Sequence, residues 1–524
     1  MKKTMIALSL FSFFTFNAQA ENTFVWTQKA DIPTLDPYAF ASTTALGFQN
    51  HIYEALIEWD DNFKLSPVLA KSWVQVDNET IVVKLREGVV FHNGNPFNAD
   101  DVVASFERIL DKDSGIRGNV SSIVKAEKVN DFEVKITTVP NSPIALNELT
   151  GVMMMDKEWL VANNATKPSS MSNGTESYAT NNTNGTGPFK LDSRRRDVGM
   201  TLSANDNWWN KAHKRHNIDV IKFKPVTSDA TRIAGLMSNE FHLTTDVPLQ
   251  DVKRIEQDEN LSVMTMPSMR VVMLSFNQAD KLNAKNDSDE NPLKDIRVRQ
   301  ALTYAVDREL IVKKIMRDMT KVSNAYISPL ISGYDEKNNI DISYDPTKAK
   351  ALLKEAGYEN GFNIAFDCVS GAYISAEQWC PAVQRFWSKV GVNADLAMHP
   401  RSTYSPIRDK GKTDIGVLGW ANLPLVDAYS INQQLIHSKD GGIYGAFNIP
   451  NYKNEQVDAR IEEAAVEINQ EKRLALMSEG LNLAQQDLPY LPLHFEPVVW
   501  AVNSHIDITQ SSDNVVRLWK VKFH

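Results

Sequence analysis

Residue types that could carry catalysis or bind a metal are scattered along this chain in patterns that favour no local active site. The run His213-Lys214-Arg215-His216 spaces two histidines for a transition metal, but the two cations between them are typical of a solvated face. The adjacent acids Asp60-Asp61 and Asp100-Asp101 suit turns and helix N-caps better than acid/base pairs. Gly-x-Ser-x-Gly, Gly-x4-Gly-Lys-Ser/Thr and His-Glu-x-x-His motifs are absent. Local motifs therefore predict neither an enzyme, nor a resident metal, nor a cofactor.

Cys368 and Cys380 are the two cysteines of the chain. Cys368 follows an apolar strand pattern, and Cys380 falls in the early part of the next helix. A disulfide between them would close a short loop and stabilise the fold by about 3 kcal/mol. An exported protein would keep such a disulfide. Two reduced thiols are the alternative.

The N-terminus indicates export. Met1-Lys2-Lys3 is positive, an apolar stretch spans positions 5–16, and Ala18-Gln19-Ala20 fits the small-x-small cleavage pattern. A membrane anchor is the alternative, but about 20 apolar residues are needed to span a bilayer. We therefore expect a signal peptide over residues 1–20, cleaved after Ala20, and a periplasmic mature chain.

Composition excludes some classes of function. The 524 residues include 56 Lys or Arg and 65 Asp or Glu, a formal charge of −9. Nucleic-acid binding needs clustered positive charge, so we expect no nucleic-acid partner. With 43% apolar and 23% charged residues, the chain has the composition of a folded globular protein.

The elements along the chain alternate between strands and helices, which predicts a mixed α/β fold. Helical spacing places Phe48, Ile52, Leu56 and Ile57 on one helix. The other elements that the patterns predict are a hairpin over 73–85, strands near 189–191 and 218–223, and helices beginning at Asn98 and covering 229–237, 295–316 and 345–356. Residues 163–187 are rich in Asn, Thr, Ser and Gly, which indicates a surface loop or domain crossing, and a further section begins near Val271.

Many segments in order resemble the family 5 extracellular solute-binding proteins, which include oligopeptide-, dipeptide- and nickel-binding components of ABC importers. The segments that carry the resemblance are Leu35-Asp36-Pro37, Pro67-Val68-Leu69-Ala70-Lys71-Ser72-Trp73, Leu85-Arg86-Glu87-Gly88-Val89, Phe91-His92-Asn93-Gly94, Ala99-Asp100-Asp101-Val102-Val103, Gly185-Thr186-Gly187-Pro188-Phe189, Leu274-Ser275-Phe276-Asn277, Asp295-Ile296-Arg297-Val298-Arg299-Gln300-Ala301-Leu302, Ala305-Val306-Asp307-Arg308 and Tyr344-Asp345-Pro346. They extend over nearly the whole chain after residue 20.

The resemblance implies an α/β periplasmic binding protein of the class II-like, cluster C type. Two hinge-linked lobes would close over a ligand cleft, and an extra domain would belong to the first lobe. The implied boundaries are 21–55, 183–270 and 491–524 for a discontinuous domain I, 56–182 for domain II, and 271–490 for domain III, the second lobe.

The resemblance also implies ligand-binding positions. The loop after Leu35-Asp36-Pro37, which includes Ala41, Ser42 and Thr43, would approach the ligand backbone. Arg408 would meet a ligand carboxylate, with a surface charge as the alternative, and Trp420 would form an aromatic wall, with a packed core residue as the alternative. The remaining expected ligand positions are Arg401, Tyr404, Ala421, Asn422 and Asp427, with His494 and Glu496 as weaker candidates.

One departure from the family pattern concerns the ligand's amine. Peptide binders of this family commonly have an Asp three residues after the Trp, and here that position is Leu423. Asp427 would have to replace it, or Asn422 would offer a neutral acceptor, because a buried ammonium without a carboxylate costs several kcal/mol. Arg401 indicates an anionic feature of the ligand.

The sequence thus predicts a monomeric periplasmic binding protein that captures a peptide or peptide-like solute and delivers it to an ABC permease in the inner membrane. A short glycan, a modified peptide or a metal chelate held by His494 or His399 remains an alternative ligand. A secreted enzyme assembled from distant residues is the alternative of a different class.

Overall fold

The computed structural model describes residues 22–524 apart from 41, 62, 172, 285–289 and 340–341. The predicted signal peptide and Ala41 of the predicted ligand loop lie outside the described residues. Within the described part of the chain, no helix combines the length and apolar character needed to cross a bilayer.

The described residues form helices and strands in alternation, as the mixed α/β prediction requires. The helices are α1 (Thr43–Ile52), α2 (Ala99–Leu110), α3 (Ala145–Leu149), α4 (Lys157–Ala162), α5 (Asp229–Met237), α6 (Val252–Ile255), α7 (Ile296–Tyr304), α8 (Arg308–Lys314), α9 (Pro346–Glu355), α10 (Ala376–Ser388), α11 (Arg401–Asp409), α12 (Tyr429–Ile431), α13 (Glu455–Val466) and α14 (Gln470–Asp487). The strands are β1 (Thr23–Gln28), β2 (Ile57–Trp59), β3 (Leu65–Pro67), β4 (Ala70–Gln75), β5 (Thr80–Leu85), β6 (Ile123–Asn130), β7 (Glu133–Thr138), β8 (Phe189–Arg195), β9 (Gly199–Ala204), β10 (Val220–Pro225), β11 (Leu243–Thr244), β12 (Leu261–Phe276), β13 (Phe362–Ser370), β14 (Val392–Pro400), β15 (Ile415–Trp420), β16 (Tyr490–Asn503), β17 (Ile506–Asp507) and β18 (Lys522–Phe523).

A mixed sheet of ten described strands runs through the molecule in the order β14-β13-β15-β12-β16-β11-β1-β10-β9-β8. Its two central strands, β12 and β16, are the longest and pair antiparallel from Leu261 opposite Asn503 to Ser275 opposite Tyr490. One end of this ladder joins β11, and the other joins β15. The fold therefore has two halves connected by two long strands, the architecture of a two-lobed binding protein.

We refer to the halves by the boundaries predicted from the sequence: residues 22–270 and 491–524 are lobe 1, and residues 271–490 are lobe 2. Lobe 1 also contains a four-stranded antiparallel sheet in the order β4-β5-β7-β6, which includes the predicted hairpin as β4 and β5. One buried apolar cluster underlies lobe 1, and two further clusters lie mainly in lobe 2.

Local capping signals placed several helices correctly. Asn98 caps α2 in a capping box with Asp101, and Asp345 caps α9 by accepting hydrogen bonds from the amides of Thr347 and Lys348. Gly357, with φ +88°, follows α9 in the left-handed conformation that favours glycine at this position.

Two helix predictions were too long. The first was expected to reach Ile57, but α1 ends at Ile52, because the backbone of Leu56 accepts hydrogen bonds from Val68 and Ala70 instead. The predicted helix over 295–316 is divided into α7 and α8. Asp307 interrupts it, since its side chain caps α8 by accepting from the amide of Leu310.

Asp36 of the Leu-Asp-Pro segment explains why residues 163–187 are polar and yet partly buried. Its two carboxylate oxygens each lie 2.6 Å from a guanidinium nitrogen of Arg108 on α2, and neither side chain is exposed. The amide of Ser169 and the hydroxyl of Ser177 also donate to Asp36. Breaking such a buried pair costs about 3–5 kcal/mol, so the Asp36–Arg108 pair holds the loop that contains Asp36 against α2 and the segment from Ser169 to Ser177.

Candidate functional site

The two lobes are in contact along one seam. The Trp59 indole nitrogen of lobe 1 donates to the carbonyl of Pro424 in lobe 2 at 2.7 Å, and the Asn147 amide donates to the carbonyl of Leu425 at 3.1 Å. Ile144 of lobe 1 packs with the apolar side chains of lobe 2 and is 3% exposed. The cleft between the lobes is therefore closed in this structure.

Strand pairing places Trp420, a predicted ligand residue, in the central sheet beside the two long strands β12 and β16. Val271 of β12 pairs with Trp420 of β15 on one side and with Phe495 of β16 on the other. Arg270, Ala421 and Glu496 each adjoin one of these three residues, at the point where the register of β12 and β16 shifts. All three, together with Leu423, line a cavity of about 30 Å³.

Gly419, just before Trp420, permits close packing at this point of the sheet. A Cβ at position 419 would lie 2.5 Å from Cε1 of Tyr373 and 3.0 Å from Cδ of Arg270. The Gly419 amide donates to the Tyr373 hydroxyl at 2.7 Å. Any larger residue at 419 would displace both side chains from the cleft face.

Three arginines form a positive region that extends from the hinge into lobe 2. The pKa of Arg401 is lowered, first by loss of water around its guanidinium and also by the charges of Arg270 and Arg408, while Tyr373 acts in the opposite direction. We call Arg270, Arg401 and Arg408 the arginine row. The Arg401 guanidinium lies 5.6 Å from the centre of the Phe40 ring of lobe 1, so this member of the arginine row faces the loop after Leu-Asp-Pro.

In that loop, Ser42 caps α1, and its Oγ accepts a hydrogen bond from the Ala45 amide at 3.0 Å. Its side chain is half-buried, and the side chain of Thr43 lies outside the described residues. Ser42 therefore has an established local role at the position where the sequence predicts ligand contact.

Trp420 and Tyr404 have different surroundings. Trp420 is half-buried, its ring centre lies 5.5 Å from that of Phe447, and its indole nitrogen donates to Ser430 at 3.2 Å. Tyr404 is 2% exposed, and its hydroxyl donates to the Val417 carbonyl at 2.7 Å. Tyr404 thus connects α11 to β15. This contact favours a role in positioning Arg401 and Arg408 on α11, in place of the direct ligand contact expected from the sequence.

Asp427 does not occupy the place expected of a substitute amine acceptor. Its oxygens lie 2.7 and 3.0 Å from the guanidinium nitrogens of Arg473 on α14, and both side chains are almost fully buried. Its Oδ1 also accepts from the Tyr429 amide. The carboxylate therefore stabilises the loop that follows Trp420, and the expectation that it replaces the missing Asp is revised.

Asn422 is 1% exposed and has φ +54°, a left-handed conformation that asparagine tolerates. Among the described residues, neither its amide nitrogen nor its amide oxygen has a hydrogen-bond partner. A buried amide without partners is costly, which supports contact between Asn422 and a bound solute.

His494 lies inside the protein rather than on the cleft face. It is fully buried beside Trp379, its Nδ1 is 2.9 Å from the Phe495 carbonyl, and burial lowers its pKa to about 4. His399 pairs instead with Asp367 at 2.7 Å. The described residues contain no group of three His, Cys, Asp or Glu side chains placed to hold a metal. The Nε2 of His494, like the Asn422 amide, has no hydrogen-bond partner among the described residues, so its expected ligand role stays a prediction.

Cys368 and Cys380 form a disulfide between β13 and α10, with Cα atoms 6.6 Å apart. Both cysteines are buried. The bridge therefore links elements of lobe 2 behind the cleft face.

The sequence did not predict Arg270 or Tyr373 as site residues, and it indicated Glu496 only as a weaker ligand candidate. Arg270 and Glu496 are more than two hundred positions apart and come together only because β12 and β16 are neighbours in the sheet. The one local signal was Gly419, since a glycine at a strand end indicates close approach of other groups.

A second groove, of about 360 Å³, lies between residues 31–34, 169–180 and 196–197. Lobe 1 alone forms it, so lobe closure does not enclose it. We therefore place the candidate site at the seam between the lobes.

Comparison with known proteins agrees with this architecture. Residues 64–442 match the family described as bacterial extracellular solute-binding proteins, family 5 middle. The dipeptide-binding protein of Escherichia coli strain K12 is 29% identical over 442 residues, covering 79% of each chain. A glutathione-binding protein of Shigella flexneri serotype 5b is 26% identical over 485 residues, covering 91% of this chain and 90% of the relative.

The fold is similar to that of the periplasmic binding protein DppA from Helicobacter pylori in complex with the peptide STSA. The TM-score is 0.81 at 23% identity, and the match covers 96% of this chain and 98% of the other. With the family match extending over well more than half of its length, the chain belongs to the bacterial extracellular solute-binding proteins of family 5.

Proposed function

We propose that this protein captures a small, carboxylate-bearing peptide or peptide-like solute between its lobes and delivers it to an ABC permease of the inner membrane. It acts in the periplasm as a monomer, after cleavage of its leader following Ala20. The names of the relatives, binders of dipeptides and of glutathione, support a peptide-like ligand.

The observation that carries the proposal is Arg401, which faces Phe40 across the seam and belongs to the arginine row. The charges of Arg270 and Arg408 act on Arg401, so the three guanidinium groups create a positive potential beside the seam. An anionic solute reduces their repulsion, and arginine's planar fork of donors matches the two oxygens of a carboxylate. Aromatic surface from Phe40 and Trp420 suits the organic part of such a ligand.

Native mass spectrometry of the protein isolated from a periplasmic extract tests this proposal. We expect one small organic acid or peptide per chain, released on denaturation. In Arg401→Gln the affinity for that compound should fall about 10- to 150-fold, the equivalent of one charge-assisted contact of about 1.5–3 kcal/mol.

Arg297→Gln is the matched control, because Arg297 is an exposed arginine of lobe 2 paired with Asp295 on α7. It should retain the compound at the wild-type level. Equal retention by both variants, or a retained compound that lacks an acidic group, would refute the proposed ligand class.

A further inference from the structure

The hinge end of the cleft carries a carboxylate, that of Glu496, beside Arg270, the member of the arginine row that lines the same cavity. Glu496 on β16 uses Oε1 to accept a hydrogen bond from the Ile374 amide at 2.8 Å. Its Oε2 is buried and accepts no hydrogen bond from the described residues. A buried carboxylate oxygen in this state is costly unless a donor completes its hydrogen bonding.

The cavity beside Glu496 has the size of a single small polar group. Its volume of about 30 Å³ exceeds the roughly 10–15 Å³ that a water molecule requires, and an ammonium group is similar in size. Leu423 and Ala421 form one wall, and Arg270 and Glu496 lie on the hinge strands. Leu423 brings no charge to this cavity. Its charged lining residues are Arg270, Glu496 and Asp513, and Asp513 already pairs with Arg517.

The electrostatic surroundings keep this carboxylate responsive to an incoming cation. Burial raises the pKa of Glu496 to about 7, against the lowering effects of the Ile374 amide and Arg270, while Asp246 raises it further. An approaching ammonium would favour the ionised form and gain a partner of opposite charge.

We infer that Glu496 binds the ammonium group of a zwitterionic solute, whose carboxylate lies at the arginine row. This inference rests on the proposed function and narrows its ligand to compounds with a free amine, such as amino acids and short peptides. The carboxylate of Glu496 and the guanidinium of Arg401, which lies near Phe40, then match the two ends of the solute. Recognition of a free amine is thereby restored although position 423 is leucine.

Competition between two probes tests this inference. An equimolar dipeptide mixture and the same mixture after N-acetylation are offered together to the wild-type protein, and the bound species are counted by native mass spectrometry. We expect at least a tenfold preference for the free-amine dipeptides. In Glu496→Gln, which keeps the shape and the acceptor for Ile374, the preference should fall to about one while binding of the acetylated mixture persists.

Two controls separate the possible failures. Glu54→Gln neutralises another buried glutamate whose pKa burial raises to about 7, but Glu54 is already satisfied by Trp208, Trp209 and Thr186 in lobe 1. It should preserve the preference for a free amine. Arg401→Gln should weaken the binding of both mixtures.

If the wild type binds both mixtures equally, or if Glu496→Gln loses both in proportion, the role of Glu496 is refuted and the proposed function stands. If the wild type binds neither mixture, the peptide-like ligand class fails together with the inference.

Discussion

Replacement of Arg473 by methionine should destabilise the protein strongly, because it leaves the carboxylate of Asp427 buried without its cation. The two side chains are 1% and 2% exposed and are joined by two hydrogen bonds. Removal of one partner from such a pair costs about 3–5 kcal/mol. The double variant Arg473→Met with Asp427→Leu should recover most of this loss, since it leaves no unpaired charge.

The neighbouring residue provides a matched control for this experiment. Lys472 lies on the same helix and pairs with Glu467 at 2.6 Å, but its side chain is 58% exposed. Lys472→Ala should therefore change stability little, because solvent already screens the pair. Urea unfolding followed by circular dichroism and by tryptophan fluorescence measures all three variants.

Two results would contradict a structural role for the pair of Asp427 and Arg473. If Arg473→Met unfolds at the same urea concentration as the wild type, the pair does not hold the loop. If Asp427→Asn is also fully stable but loses the solute retained by the wild type, Asp427 is a ligand residue, as the sequence first suggested.

Three further predictions concern the interior and the seam. Burial raises the pKa of Glu148 to about 8, so Glu148 holds a proton in the folded protein that it releases in the unfolded chain. The free energy of unfolding should therefore fall as the pH rises from about 5 to 8. Urea unfolding at these two pH values should show a smaller fall in the free energy of unfolding for Glu148→Gln than for the wild type. Joint replacement of Cys368 and Cys380 by serine should lower the free energy of unfolding by about 3 kcal/mol, and an unchanged melting temperature after reduction of the wild type would contradict this. Trp59→Phe removes the hydrogen bond to Pro424, so solute affinity should fall by the equivalent of about 1 kcal/mol. An unchanged affinity in calorimetry would show that this hydrogen bond does not stabilise the closed form.

Local chemistry made parts of the fold predictable from the sequence. Asn98, Asp345 and Gly357 mark helix ends through bonds to their nearest neighbours, and the turn between β4 and β5 joins strands that are adjacent in the chain. These features depend on a few consecutive residues. The helix over 295–316 was the exception, because Asp307 fits the middle of a polar helix face and also caps a new helix.

The candidate site depends instead on contacts between distant positions. Arg473 meets Asp427 across 46 residues, and Arg270 and Glu496 line one cavity only once β12 and β16 have paired. The sequence indicated Arg401 and Trp420 through family resemblance, but no local pattern could assign Asp427 to an ion pair or show that His494 faces the interior.

The crystal structure of the protein with the solute that it retains from a periplasmic extract would test the central claim most directly. We predict a solute between Phe40 of lobe 1 and the hinge strands, with a carboxylate within hydrogen-bond distance of Arg401 or another member of the arginine row. A solute bound in the groove of lobe 1 near Asp31, or one in the cleft without an acidic group, would contradict the account.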